Sequence, residues 1–438
     1  ALQAYSAGMN AVFSGSARAL PLFQRAVGID PDFALAHAHV GHRYSDVGES
    51  ALGRQSLLKA YQLRNRASDA ERFYIDTLYD RDFTGNLERE RRTLETWAES
   101  YPRDTAPLTL IAGLALLSTG QHELAVSEAE KAIVLDPDHT PAYANKAFNQ
   151  LMLNRLDDAL LTVRRAAERK LGSEGSLLLT QYFVAFLTGN DDELRRTVTA
   201  VRKGPATEDT ISHIEALALA RSGQLQDARR MAAGAVEIAQ KSGRRERAGL
   251  FEAGRAVWEA FYGNAAAARQ GATRALDLGR GGREVDYAAA FALALAGDLP
   301  QSRALAEVLA REFPEDTSVQ FMYLPTLRAL FSLNTPTPDV AAAIHALQTA
   351  SRYDLALGRI GFIGRFGGLY PIYVRGLGYL VGIKFKSDSA KPYQQGLLER
   401  KIITGLADDT SILRLLPPLT LKRAEIDLFL QELSGIQL

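Results

Sequence analysis

The sequence predicts an all-α fold, a right-handed solenoid of helix–turn–helix repeats that ends in a small α+β appendage. Three observations predict it. Ala125 and Ala159, Ala132 and Ala166, and Gly120 and Asn154 are each separated by 34 residues. A turn-type residue recurs at nearly the same interval, at Gly15, Gly48, Gly85, Gly120, Asn154, Gly189, Gly223, Gly263 and Gly297, in steps of 33, 37, 35, 34, 35, 34, 40 and 34. Proline pairs punctuate the pattern at Asp30-Pro31, Tyr101-Pro102, Asp136-Pro137 and Phe313-Pro314. A fixed period of roughly 20–50 residues marks stacked supersecondary units, each contacting its neighbours. A chain of 438 residues built this way needs no division into several globular cores.

The elements of one unit follow from physical requirements. A tight turn between two helices needs a residue that tolerates positive φ, and Gly and Asn do. Five residues after the turn stand Ala125, Ala159, Ala228 and Ala268, and twelve after it Ala132, Ala166, Ala235 and Ala275. Small side chains there let the second helix lie close against the first. Proline at the end of the unit stops one helix and can open the next. Residues 105–138 carry the cleanest copy, with Gly113, Gly120, Ala125, Ala132 and Pro137 in place. The array is expected over 1–330, an irregular helical cap over 331–376 and a distinct tail over 377–438. The cap holds two prolines between Asn334 and Pro338 and five glycines between Gly358 and Gly368.

At these offsets the chain resembles the tetratricopeptide repeat family. More narrowly, Ala19-Leu20-Pro21-Leu22-Phe23 through Asp30-Pro31, the Glu71-Arg72-Phe73-Tyr74 run, and Trp97 through Tyr101-Pro102-Arg103-Asp104 resemble the repeat arrays of bacterial serine/threonine kinase or winged-helix regulators. Neither catalytic kinase motifs nor a winged helix accompany them. Past Arg375 the text changes. Arg375 to Ile383 alternates like a strand, and Ile412-Leu413-Arg414-Leu415-Leu416-Pro417-Pro418-Leu419-Thr420 precedes an amphipathic helix at 422–433. This stretch resembles the carboxy-terminal end of acetylornithine-type aminotransferases, a family in which the matching arginine, here Arg414, holds a substrate carboxylate. The phosphate cup, Schiff-base lysine and pyridinium-facing aspartate of that family have no counterpart, so no pyridoxal phosphate or other cofactor is expected. The join, a gene fusion, a cloning chimera or a recombined clone, is expected at Val374-Arg375-Gly376, with an ordinary continuation of the chain as the rival reading.

Composition narrows the function classes. Lysine plus arginine equals aspartate plus glutamate at 51 each, which gives no general surface for nucleic acid or anionic membranes. No cysteine is present, so disulfides, thiolate catalysis and thiolate metal sites are excluded. No apolar run reaches the roughly 18 residues of a membrane span. The chain starts at Ala1 without a signal-peptide pattern, as a processed or trimmed product would. A soluble protein is expected, either cytoplasmic or, by the family resemblance, the extracytoplasmic part of a membrane-tethered regulator.

The constellations that could carry chemistry read as structure. His39 and His42 share a helix face with Asp46 nearby, but partly exposed polar residues account for them better than a metal site. His122-Glu123, Asp157-Asp158 and Asp191-Asp192-Glu193 fall just after turns, where acidic side chains favour a helix start. Gly361, Gly364 and Gly367 around Arg365 lack the strand and the lysine-serine end of a phosphate loop. Lys241, Arg244, Arg245 and Arg247 fall where the step stretches to 40, as an extended solvated turn would, with docking of an acidic partner as the rival use.

In a tetratricopeptide array the first helix of each unit lines the concave groove. Here that set is Leu110, Leu114 and Leu117, then Phe148, Leu151 and Met152, Phe183 and Phe186, Val257 and Phe261, and Tyr287 and Phe291. The same residues also suit packing between adjacent helices, and the sequence leaves both roles open. As a groove, this lining fits an extended apolar segment of a protein or peptide partner, the chain's own tail included, and not an acidic peptide end. The expected function is a non-catalytic binding scaffold, with an enzyme or ligand-binding protein using the Arg414 carboxylate site as the rival reading.

Overall fold

The computed structural model describes residues 1–13, 18–171, 175–202, 208–357, 370–378, 381–384, 389–400, 402, 405–406, 412–415 and 423–436. Nine helix pairs follow one another: Leu2–Phe13 with Ala19–Ile29, Ala34–Asp46 with Ser50–Leu63, Asp69–Leu78 with Leu87–Ser100, Thr105–Leu110 with His122–Leu135, Thr140–Met152 with Leu156–Glu168, Gly175–Thr188 with Asp191–Arg202, Glu208–Arg221 with Leu225–Lys241, Arg245–Phe261 with Ala265–Gly279, and Arg283–Leu295 with Leu299–Glu312. The first helices of the third and fourth pairs run on through wide π turns at Tyr79–Thr84 and Ile111–Ala115, the fourth ending as Leu116–Thr119. The protein is an α-solenoid of tetratricopeptide type.

Each spacing rule has its physical counterpart. Gly48, Gly85, Gly120, Gly189, Gly223, Gly263 and Gly297 all have φ between 67° and 81°, and Asn154 joins them at 59°. Gly15 lies outside the described residues. Ala125, Ala159, Ala228, Ala268, Ala132, Ala166, Ala235 and Ala275 are fully buried, so a larger side chain at any of them would push the helices of its pair apart. The 40-residue step corrects one expectation. It is no extended turn: Leu225–Lys241 and Arg245–Phe261 are each 17 residues long, against 14 for His122–Leu135. The added length is helix.

Two compact units divide the chain, Ala1–Leu324 with Leu355–Gly368, and Pro325–Asp354 with Leu369–Leu438. In the second, a three-stranded antiparallel sheet has the order β1 (Val381–Lys384), β3 (Ile412–Leu415), β2 (Gly405–Leu406), with Arg414 opposite Gly382 and Gly405. Helices Lys391–Glu399 and Arg423–Ser434 pack through Leu397, Phe429, Leu433 and Ile436. The strand expected from Arg375 begins only at Val381, because helix Tyr370–Gly378 precedes it and runs across Gly376. Pro371, in the first turn of that helix, has the φ a helix start needs. The glycines from Gly358 to Gly368, with Arg365, and the segment Leu416-Pro417-Pro418-Leu419-Thr420 lie outside the described residues. No helix among the described residues is long and apolar enough to cross a membrane.

Candidate peptide-binding site

The twelve residues expected to line a groove divide by burial. Leu117, Phe148, Leu151, Met152 and Phe183 come together in one cluster with Leu156, Leu160, Ala159 and Val184. Leu110 packs elsewhere, against the cluster of Leu94, Trp97 and Ile111, and Leu114 is half-buried. Phe186 is half-buried under the Arg221 guanidinium, 5.9 Å from the ring centre. Val257, Tyr287 and Phe291 are interior, as are Phe148 and Leu151 within the cluster. Helix-on-helix packing takes the first three, whereas Phe148 and Leu151 share their cluster with Leu357. Tyr287 stacks on Tyr323 at 3.8 Å, so the side chain expected to face a ligand faces the next helix instead. Phe261 remains 39% exposed, its ring edge-on to Phe291 at 6.0 Å.

Three successive turns are covered by segments that lie about two hundred positions later in sequence. At the first, Glu246 accepts the Ala51 amide at 3.0 Å and bonds Ser50, and Glu49 accepts the Arg247 amide at 3.3 Å. Each carboxylate caps the other's helix start. At the second, Thr317 donates its amide to the Gly85 carbonyl at 3.0 Å and accepts the Leu87 amide at 3.1 Å, while Arg89 spans Asp80 at 2.7 Å and Glu315 at 2.8 Å. At the third, Leu357 donates to the Leu117 carbonyl at 3.2 Å, and the His122 Nε2 lies 3.0 Å from the Leu355 carbonyl. These contacts are what sequence spacing missed, since a period reports neighbours in the array and not residues that meet after many units.

The third contact bears on the groove. Leu357 packs into the same cluster as Leu117, Phe148, Leu151, Met152 and Phe183. Ala356 is buried, while Leu355 is 58% exposed. Gly120 makes room for this strand of chain: a side-chain carbon there would lie 2.8 Å from the Leu355 carbonyl carbon and 2.9 Å from the Ala356 nitrogen. His122 is held by Asn149, whose Oδ1 sits 2.8 Å from Nδ1, and Asn149 in turn donates to the carbonyls of Ala112 and Asn145 at 3.3 and 2.8 Å. Both ring nitrogens therefore face oxygens, and the imidazole is locked in the orientation that reaches Leu355. The sequence placed His122 at a helix start, which it is, without this second role.

The other expected constellations are structural. His39 and His42 are buried, not partly exposed: His39 stacks on Phe23 at 4.7 Å and meets the Tyr74 hydroxyl at 3.3 Å, and burial lowers the pKa of both rings. The array is two helices thick here, so a face that looks polar in sequence ends against aromatic neighbours. His37 bonds the Pro31 carbonyl at 2.9 Å. No group that could hold a metal ion occurs among the described residues. The basic cluster divides, with Lys241 and Arg245 exposed and Arg244 and Arg247 turned inward. Arg247 is buried and pairs with Asp209 at 2.5 Å, Arg244 reaches the same carboxylate at 3.3 Å, Arg245 bonds the Asp277 carbonyl, and Lys241 pairs with Glu237. Asp157, Asp158, Asp191, Asp192 and Glu193 sit in first turns of helices, as read from sequence, and Glu123 pairs with Arg155.

No protein-family model and no curated protein matches the chain. Solved structures do. Yeast Tom70 is 13% identical, with 82% of this chain and 85% of that chain covered and a TM-score of 0.45. A tetratricopeptide repeat protein from Parabacteroides merdae is also 13% identical, with 68% and 97% covered and a TM-score of 0.34.

Proposed function

We propose that the protein is a non-catalytic scaffold that binds an extended apolar segment of a protein or peptide partner on the first-helix face of its central repeats. The observation that supports this most is the cluster of Leu117, Phe148, Leu151, Met152 and Phe183, five of the expected lining residues, with Leu357 seated on it and main-chain bonds on either side. An apolar face flanked by a main-chain carbonyl and a histidine nitrogen suits a segment that lays down alternate side chains and pairs through its own main chain. The charge balance and the internal pairing of Arg244 and Arg247 with Asp209 point away from acidic ligands. Fluorescence anisotropy with labelled octapeptides tests the reading. Leucine-rich peptides are expected to bind saturably, with binding lost in Phe183→Asp while far-ultraviolet circular dichroism stays helical. Equal binding by that variant, or preference for acidic peptides, overturns it.

A further inference from the structure

We infer that Leu355-Ala356-Leu357 is a resident ligand of this face, and that the partner is a segment of leucine–small residue–leucine chemistry which displaces it. The inference rests on the scaffold reading above and adds the identity of the competing group. Four features of the segment are those of a bound peptide. Its backbone is held at both ends, by Leu117 O and by His122 Nε2. Its third residue enters the apolar cluster. Its middle residue, Ala356, is buried, so a small side chain there belongs to the fit, and its backbone lies so close to the turn that only a glycine at position 120 leaves room for it. Its first residue is 58% exposed, an apolar side chain left in water that a longer partner segment could cover.

Occupation by the chain's own residues has a quantitative consequence. A site that is free only one tenth of the time binds an outside ligand about tenfold more weakly than the open site does, and tethering keeps the resident segment at an effective concentration near the millimolar range. Partner binding is therefore coupled to release of the segment, and the protein reports its partner by exposing Leu357.

The absence of cysteine makes this measurable, because one introduced thiol is unique in the chain. In Leu357→Cys the thiol is expected to react with a disulfide reagent at least tenfold more slowly than the thiol of Leu355→Cys. A synthetic peptide spanning residues 352–360, added at about ten times the effective concentration of the tethered segment, should raise the rate at position 357 about tenfold by emptying the site, and leave position 355 within twofold. The same peptide with aspartate in place of its second leucine should do nothing. Equal rates at the two positions without peptide overturn the inference, since the segment is then not docked. So does a rate at 357 unmoved by peptide. Saturable anisotropy binding of leucine-rich peptides with no change in the rate at 357 sinks the resident segment and leaves the scaffold reading standing, whereas loss of both signals sinks the scaffold reading itself.

Discussion

The Glu246 carboxylate accepts the amide hydrogen of Ala51 at 3.0 Å, across 195 positions of sequence. Glu49, one residue before helix Ser50–Leu63, returns the contact by accepting the amide of Arg247 in helix Arg245–Phe261. The first amides of a helix have no partner within it, and here two helices satisfy each other's. Neither Glu49 nor Arg244 caps its own helix through a side chain. With Thr317 on Leu87 and His122 on Leu355, the arrangement ties early repeats directly to late ones. An open array is close to a sum of nearest-neighbour terms, and this one has added long-range terms.

Cooperativity should depend on those ties. Arg247 and Asp209 are both buried, and removing one partner of such a pair leaves the other charge in a medium that cannot solvate it, at a cost of about 3–5 kcal/mol. Arg247→Ala should lower stability by that amount and, because the guanidinium also reaches the Val47 carbonyl at 3.5 Å, should loosen the first of those ties. Arg230→Ala, which breaks an exposed pair with Asp227, is the control and should cost under about 1 kcal/mol. Equal costs for the two variants would show that the buried pair contributes no more than a surface one.

Two buried glutamates set a pH dependence. Burial raises Glu246 to about 7 and Glu90 to about 7, against 4.5 when exposed. The folded state thus holds protons that the unfolded state gives up, so stability is full below about pH 4.5 and falls as pH rises toward and through 7. For Glu246 the shift corresponds to about 3 kcal/mol. Denaturant melts at pH 5 and pH 8 should show the fall, and Glu246→Gln, which keeps a carbonyl for Ala51 and gains an amide for Ser50, should remove about half of it. A profile unchanged in Glu246→Gln would contradict the assignment.

The repeat was legible because each of its rules is local. Positive φ at Gly120 or Asn154 and zero exposure at Ala125 or Ala159 follow from the geometry of one helix pair, which one 34-residue stretch encodes. The packing of the expected lining residues was less legible. Leu117 and Phe183 pack against one apolar cluster, while Tyr287 turns to Tyr323 and Phe291 is interior, because an apolar side chain on a first helix serves the next helix as readily as a ligand. The long-range contacts of His122, Glu246 and Arg247 could not be read at all. Their partners lie far along the chain, and no periodicity relates a glutamate to an amide 195 positions away.

Glycine substitutions separate turn strain from closure. At positive φ an alanine costs about 1–2 kcal/mol wherever it stands. Gly263 has φ of 77° with nothing within 4 Å of where its side chain would be, so Gly263→Ala should pay that cost alone. Gly120 has the same φ but faces the backbone of Leu355 and Ala356. Gly120→Ala should therefore cost about 1–3 kcal/mol more, in the range of overpacking, and should expose residue 357 to labelling. Equal melting temperatures for the two variants would place the Leu355–Leu357 segment off the turn.

His213 should produce the opposite pH arm. Its imidazole is buried against Phe251, 4.4 Å between ring centres, and neither ring nitrogen has a hydrogen-bond partner among the described residues. Burial, reinforced by the Arg247 charge, lowers its pKa from 6.5 to about 3. Here the unfolded state takes up the proton first, so stability is intact above about pH 6.5 and falls as pH drops toward 3. A polar ring with no partner also costs about 1–3 kcal/mol at neutral pH. His213→Leu, of similar volume, should raise the unfolding free energy by that amount at pH 7 and by more at pH 5, where the histidine of the unfolded wild type is largely charged. The glutamate arm moves the other way over the same interval, so the two variants can be told apart by the sign of the slope they remove. A destabilised His213→Leu would mean that the ring makes a bond its surroundings do not display, with a bridging water between it and Arg247 as the first place to look.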